Sequence, residues 1–315
     1  MLQTMFRLFV GQKHLHSNTM VDLIRIFDRK RLIKHRRRAA AAFSNHDFLF
    51  QETAVRLREK LKDINRDFHT SLELGARYPV LKEQASITVD IDPTLSRGKK
   101  SFVSMDEEFL AFTPATIDLV ISNLCLHWTN DLPGALLQVR KTLRPDGLFL
   151  AAMLGGETLK ELRTSLTQAE LEIAGGAAPR VSPFADIRDA GALLQRAGFA
   201  LPVADIDTID VTYENAFFLM KDLRGMGETN ALTSTPSSVP ARDLFPKAAS
   251  LYHQRYANSE GRVPATFQIL YLHGWAPDLS QQKALEPGSA KNLLADALDT
   301  FEMSSGENVK PGSKT

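Results

Sequence analysis

The stretch "SLELGARYP", residues 71–79, joins a short apolar run to an acid and a Leu-Gly pair. Such a run is typical of the first strand of an open α/β sheet, and the glycine marks the turn after it. In loops that hold a ligand against the backbone, further glycines usually come next. The positions after Gly75 are instead taken by Ala76, Arg77, Tyr78 and Pro79. The stretch therefore predicts a strand and turn whose ligand-binding loop is altered.

Further apolar runs follow at short intervals and alternate with helical periodicity. The predicted strands are "SITVDI", "KSFVSM", "TIDLVIS" and "GLFLAAM". Runs this apolar suit strands that are covered on both faces, as in a parallel sheet. Between the last two, apolar residues from Leu132 to Leu143 have the spacing of a helix. This alternation predicts a doubly wound α/β sheet, and "ATFQILYLHGW" (265–275) is predicted as its last strand.

The predicted organisation has four segments. They are an N-terminal extension (1–20), a helical segment (21–67), the α/β domain (68–275) and a polar C-terminal tail (276–315). The extension carries Arg7 and Lys13 but no acid before Asp22, which resembles an organellar transit peptide. An upstream start codon, with Met20 as the functional start, or a frayed terminus explains the same residues. We expect a cytoplasmic bacterial protein, or a mitochondrial matrix protein if residues 1–20 are a transit peptide.

Composition limits the possible functions. With 315 residues, 43% of them hydrophobic, the chain can bury a full core, and its net charge of +1 favours no class of partner. Cys125 is the single cysteine, so one chain can form neither a disulfide nor a cysteine-based metal site. None of the eight histidines begins the His-x-Asp or His-x-Glu triplet of a 2-His-1-carboxylate iron site. We predict no resident metal, and no membrane span because no apolar run reaches about 18 residues.

Acidic residues follow three predicted strands in succession. Glu73 and Gly75 stand at the end of the first strand. Asp90 closes the second strand, and Asp106 follows the third. Because ligands of open α/β sheets bind beyond the carboxyl ends of the strands, Asp90 is placed to accept hydrogen bonds from two ribose hydroxyls. Asp106 is placed to accept one from an adenine amino group. The sequence predicts a present or ancestral adenosine site.

These motifs resemble those of the class I S-adenosylmethionine-dependent methyltransferases. "SLELG", "VDID", "SMDEEFLAF" and "IDLVISNLCLHW" look like their first four motifs. Over roughly residues 25–295 the chain further resembles the mitochondrial complex I assembly factors of the arginine-hydroxylase type and their alphaproteobacterial relatives. This second resemblance rests on "RIFDRKRL", "LRPDGLFLAAMLGGETLKELR", "LMKDLRGMGETN" and "VPATFQILYLHGW". Malonyl-carrier-protein methyltransferases share the early motifs but fit the second half less well.

The resemblance implies a Rossmann-like fold with a mostly parallel seven-stranded sheet and helices on both faces. It also implies N-terminal helices, a helical insertion after strand five, and an antiparallel last strand. The candidate contacts to S-adenosylmethionine are Glu73, Gly75, Ala76, Asp90, Ile91, Asp106, Glu107 and Asn123. Arg77 and Pro79 stand where family members often carry glycines that let a ligand approach the backbone, so we expect cofactor binding that is weak or lost.

Two residue pairs are candidates for the substrate cleft. His127-Trp128 follows the fourth strand and Gly155-Gly156 ends the fifth, so both pairs face the predicted cleft. A packed His-Trp corner and an ordinary turn with a helix start are the alternative interpretations. No pattern identifies a catalytic residue.

A basic segment, "RKRLIKHRRR" (29–38), holds seven Lys or Arg residues in ten positions. It is either a solvated helix face or a surface that docks an acidic protein or an anionic lipid surface. It lacks the interleaved aromatic residues of a stacking platform, so we predict no nucleic-acid partner. A protein partner and peripheral contact with a membrane-associated complex remain the expectation.

Three functions remain open. The resemblance implies hydroxylation of an arginine in an iron–sulfur subunit of respiratory complex I during assembly. The second is S-adenosylmethionine-dependent methyl transfer to a small molecule or carrier protein. The third is a degenerate, non-enzymatic assembly chaperone, which the altered loop favours.

Overall fold

The computed structural model describes residues 25–75, 77–81, 86–96, 101–235, 240–282, 289 and 294–301. The chain divides into two compact units, residues 1–278 and 279–315. The second unit contains a short helix at Leu294–Ala297. Within the ranges given above, no helix combines the length and the apolarity needed to cross a membrane.

Seven strands form one sheet in the first unit. They are β1 (Ser71–Leu74), β2 (Ser86–Asp90), β3 (Phe102–Ser104), β4 (Ile117–Asn123), β5 (Leu143–Leu154), β6 (Ala200–Tyr213) and β7 (Val263–Trp275). Their order is β3-β2-β1-β4-β5-β7-β6. Strands β1 to β5 pair in parallel, and β7 runs antiparallel to both β5 and β6. The predicted mostly parallel sheet and the antiparallel insertion of the 265–275 run are confirmed.

Within the residues that the structure describes, seven α-helices accompany the sheet. They are α1 (Arg29–Ala39), α2 (Phe48–Lys62), α3 (Leu132–Thr142), α4 (Lys160–Ala174), α5 (Ile187–Arg196), α6 (Ala216–Met226) and α7 (Leu244–Tyr256). Residues of α2, α4, α6 and α7 share one apolar core with one face of the sheet. Residues of α3 and α5 share a second core with the other face. Apolar side chains on both faces explain why the strand sequences read as continuous apolar runs.

A side chain caps the first turn of helix α1, and an apolar residue of the helix packs against the rest of the protein. The Asp28 carboxylate accepts a hydrogen bond of 3.1 Å from the backbone N–H of Arg31. Leu32, which is fully buried, packs in a small cluster with Phe27, Trp128, Ala231 and Leu232. Because Trp128 follows β4, this cluster holds α1 over the carboxyl ends of the central strands.

Candidate functional site

The carboxyl end of β1 is built around Gly75 and Glu73. Gly75 has a φ of +84°, and a Cβ there would lie 2.6 Å from the Cβ of Cys125, so only glycine fits. The buried Glu73 carboxylate accepts hydrogen bonds from the backbone N–H groups of Val80 (2.7 Å) and Leu81 (2.9 Å). Through these hydrogen bonds, Glu73 holds the backbone of Val80 and Leu81 in place after the loop. Residues 77–81 form turns and bends, and Ala76 lies outside the described residues.

Asp90, the predicted ribose acceptor, is bound by an arginine of the same chain. It is the last residue of β2 and is fully buried. The Nη1 atom of Arg36 donates to both of its carboxylate oxygens, at 3.2 and 3.4 Å. Burial opposes the charge on Arg36, but Asp90 and the other nearby acidic groups together outweigh burial and raise the pKa of the guanidinium. The neighbouring Ile91 is half-buried.

Asp106 and Glu107, which follow β3, hold a second arginine. The Nη2 atom of Arg29 lies 2.7 Å from Asp106 Oδ1 and 2.7 Å from Glu107 Oε1. Burial opposes the charge here too, yet Glu107 and Asp106 raise the pKa of Arg29. Cys125 Sγ donates to Glu107 Oε1 at 3.4 Å, and burial raises the pKa of the Cys125 thiol far above its ordinary value. The Cys125 thiol beside Glu107 is therefore uncharged.

Arg77, predicted as an obstruction in the loop, forms a buried ion pair. Its guanidinium donates to Glu228 and to the backbone carbonyls of Met226 (2.6 Å) and Leu124 (3.3 Å). It also lies over the Phe50 ring, 4.4 Å from the centroid. The arginine in place of a loop glycine thus connects the β1 end to the segment after α6, a role that the loop pattern does not indicate.

Glu228 also receives hydrogen bonds from the predicted His-Trp pair. His127 Nε2 lies 2.9 Å and Trp128 Nε1 2.7 Å from Glu228 Oε2. Burial alone would favour the neutral form of Glu228, but Arg77 and His127 lower the pKa of its carboxyl. Burial also lowers the pKa of His127, so its imidazole is neutral. A neutral imidazole beside a carboxylate donates from Nε2, and Nδ1 has no hydrogen-bond partner among the described residues. The pair is a packed corner in this structure.

Asn123, a candidate cofactor contact, uses its amide to hold α2. Its Oδ1 accepts from the Thr53 hydroxyl at 2.7 Å, and its Nδ2 donates to the Phe50 carbonyl at 3.0 Å. All three residues are buried. The side chain is therefore engaged within the protein.

The glycine pair after β5 has a structural explanation. The N–H of Gly155 donates to the Gln268 carbonyl at 2.8 Å, and a Cβ on Gly155 would lie 2.6 Å from Gln268 Oε1. The carbonyl of Gly156 accepts from both Nη atoms of Arg163 at 3.3 Å. Gly156 also lines a cavity of about 500 Å³ with Phe184.

Three of the candidate residues, Asp90, Asp106 and Glu107, lie with Glu228 in one group of carboxylates, which we call the acidic cleft. Asp90, Glu107 and Glu228 all act electrostatically on Arg36, which places them around one guanidinium. A further pair on its edge joins Arg37 to Asp92 at 3.0 Å. Neither interpretation of the basic segment is right for its buried part, because α1 directs Arg29 and Arg36 into the protein. Arg37 and Arg38 remain exposed.

Sequence reasoning missed Glu228. The residue lies within "LMKDLRGMGETN", which carries the family resemblance but follows a helix far from the strand motifs. An acid directly after the Gly-Met-Gly that ends a helix was the available signal. In the part of the chain that the structure describes, no group of three or more His, Cys, Asp or Glu residues is arranged to hold a metal ion.

The fold and the site define a protein of the methyltransferase class. A family model described as a methyltransferase domain matches residues 75–151. The chain is 31% identical to a malonyl-[acyl-carrier protein] O-methyltransferase of Xylella fastidiosa (strain M23), over 80% of this chain and 89% of the relative. The solved structure of YcgJ from Bacillus subtilis covers 70% of this chain and 98% of its own, with 15% identity and a TM-score of 0.49.

Stronger matches connect the chain to one branch of this class. It is 42% identical to "Arginine-hydroxylase NDUFAF5, mitochondrial" of Danio rerio, over 86% of this chain and 89% of the relative. The Homo sapiens protein of the same name is 43% identical, over 87% of this chain and 84% of the relative. The chain belongs to the family of the arginine-hydroxylase NDUFAF5 proteins, and the resemblance predicted from the sequence is confirmed.

Proposed function

We propose that the chain is a protein arginine hydroxylase that acts in the assembly of respiratory complex I. The observation that carries this proposal is the 42% identity to an arginine-hydroxylase, which extends over 86% of the chain and 89% of the relative. An iron–sulfur subunit of complex I is the proposed partner. The proposed location is the bacterial cytoplasm, or the mitochondrial matrix in line with the names of these relatives.

The acidic cleft supports a substrate that carries a guanidinium group. Its carboxylates hold the guanidinium groups of Arg29, Arg36 and Arg77 through direct hydrogen bonds or ion pairs. Pairing of arginine with carboxylate supplies charge and directional hydrogen bonds together. Arg29 is the most exposed of the three, with 15% of its side chain accessible, and we propose that a substrate arginine competes for its position.

The ion pairs of the cleft support weak binding of S-adenosylmethionine. The acceptors for ribose and adenine are present as Asp90 and Asp106, but Arg36 and Arg29 already bind their oxygens. When bound, this cofactor would supply an activated methyl group or an electrophilic sulfonium centre. We propose that its binding is weak and requires α1 to withdraw from the strand ends.

Two other functions have specific support. Methyl transfer is supported by the 31% identity to a malonyl-[acyl-carrier protein] O-methyltransferase. A non-enzymatic assembly chaperone is supported by the occupied carboxylates of the cleft. These alternatives predict different products on different acceptors.

Mass spectrometry of the iron–sulfur subunit separates the three functions. The subunit is co-expressed with the unaltered chain, with Asp106→Asn, or with Asp67→Asn, whose carboxylate is exposed between α2 and β1. A gain of one oxygen atom on an arginine, reduced by Asp106→Asn and kept by Asp67→Asn, is the result expected for the hydroxylase. An unmodified subunit, together with methyl transfer to a carrier protein by the purified chain, indicates a methyltransferase. An unmodified subunit in correctly assembled complex indicates the chaperone.

A further inference from the structure

A second site lies against His35 and Arg38 of α1 and shares Glu228 with the acidic cleft. It is a cavity of about 640 Å³ between α1, α4, α6 and α7, bounded also by Trp128. A volume of this size accommodates a small organic ligand. Leu162 and Leu166 of α4, Met220 of α6, and Phe184 give it apolar walls.

The mouth of this cavity is positively charged. Arg38 of α1 and Lys221 and Arg224 of α6 line it. Within the described residues, Lys221 and Arg224 have no ion-pair partner, and Arg38 donates to the Thr229 hydroxyl at 3.3 Å. We call this site the basic cavity, defined by Arg38, Lys221 and Arg224.

The carboxylate that borders the basic cavity is already neutralised. Glu228 lines the cavity but pairs with Arg77 and accepts hydrogen bonds from His127 and Trp128. Its negative charge is therefore balanced by Arg77 and does not offset the positive charges of Arg38 and Arg224. The field at the mouth of the cavity remains positive.

At the mouth of the cavity, repulsion between Arg38 and Arg224 favours the binding of an anion. Partial burial lowers the pKa of Arg38, and the nearby charge of Arg224 lowers it further. An anion between the two guanidinium groups would replace this repulsion with two charge-assisted hydrogen bonds. Because both arginines line the same cavity, they provide a place for one anionic head group.

An unused hydroxyl inside the cavity also points to a polar ligand atom. Ser182 lines the cavity and is only 3% exposed, and its Oγ has no hydrogen-bond partner among the described residues. Buried polar groups are nearly always satisfied in folded proteins. A ligand oxygen or a bound water that accompanies a ligand would satisfy this hydroxyl.

We propose that the basic cavity binds an amphipathic carboxylate. The apolar body lies against Leu162, Leu166 and Met220, and the carboxylate lies between Arg38 and Arg224. Glu228 borders both sites, but Arg38 and Arg224 would repel a substrate arginine, so this proposal goes beyond the proposed hydroxylation.

Titration of the full chain with dodecanoate, below its micelle concentration, tests this proposal. Trp128 lines the cavity, so its fluorescence reports occupancy together with calorimetric heat. We expect saturable binding of dodecanoate, at least tenfold weaker binding of dodecanol, and no binding of dodecyltrimethylammonium. Equal binding of dodecanoate and dodecanol, or no saturable binding of dodecanoate, overturns the proposal.

Variants locate the site. Lys221→Ala combined with Arg224→Ala is expected to weaken dodecanoate binding about tenfold or more while leaving dodecanol binding unchanged, since only the carboxylate forms charge-assisted hydrogen bonds with these cations. Lys30→Ala, an exposed cation on α1 outside the cavity lining, is the matched control. Undiminished dodecanoate binding by the double variant contradicts the site. If the double variant fails to fold, the comparison of the three ligands still decides.

Discussion

The acidic cleft and the basic cavity lie on two sides of the same helix and differ in how their charges are balanced. In the acidic cleft, Asp90 and Glu107 each meet an arginine of α1. In the basic cavity, Arg38 of the same helix meets another arginine. On one side of α1, arginines pair with carboxylates of the acidic cleft and so occupy them. On the other side, Arg38 and Arg224 carry like charges that repel each other, which favours a bound anion. A charged helix can therefore occlude one site while leaving another ready for a ligand.

The largest effect is expected from removing the central cation of the acidic cleft. Arg36→Ala leaves the buried Asp90 carboxylate without its guanidinium, and breaking a buried pair from one side costs about 3–5 kcal/mol. The measurement is the free energy of unfolding in urea. Lys34→Ala, exposed on the same helix, should change it by less than about 0.5 kcal/mol.

A double-mutant cycle sharpens this prediction. Combining Arg36→Ala with Asp90→Asn should recover part of the lost stability, because the uncompensated charge is removed. If Arg36→Ala is as stable as the unaltered protein, the acidic cleft is not closed by α1 and the comparison with the basic cavity fails.

The sheet could be predicted from the sequence far better than the site. Apolar runs such as "TIDLVIS" determine strands locally, and the carboxyl ends of parallel strands meet at one edge whatever the loops contain. The positions of Asp90 and Asp106 at the ends of strands could therefore be predicted. Their partners were not, because charge pairing is decided by tertiary packing. Arg36 and Asp90 are 54 positions apart, and Arg77 and Glu228 are 151 positions apart.

A smaller effect is expected where the Asn123 amide anchors α2. Asn123→Ala removes hydrogen bonds with Thr53 and Phe50 and should destabilise the fold by about 1–3 kcal/mol. Thr53→Val removes one of these bonds and should cost less. If Asn123→Ala instead keeps full stability and loses cofactor binding, the residue serves the cofactor rather than α2.

The smallest effect on stability is expected from His35, on the cavity side of α1. Burial and then the charge of Arg38 lower the pKa of His35 from 6.5 to about 4. Because the unfolded chain takes up this proton first, the contribution of His35 is fully present above pH 6.5 and is lost as the pH falls towards 4. His35→Gln should flatten the change in the free energy of unfolding between pH 7 and pH 5. An identical slope in both proteins would show that the surroundings of the basic cavity do not lower the pKa of His35.

Calorimetric titration with S-adenosylmethionine tests most directly whether α1 closes the acidic cleft. The proteins compared are the unaltered chain, Arg29→Ala, and Lys30→Ala as the matched control on the same helix. Because Arg29→Ala releases Asp106 and Glu107, the account predicts weak binding by the unaltered chain and by Lys30→Ala, and about tenfold tighter binding by Arg29→Ala. Binding by the unaltered chain that equals or exceeds that of Arg29→Ala, or no measurable binding by any of the three, would contradict it.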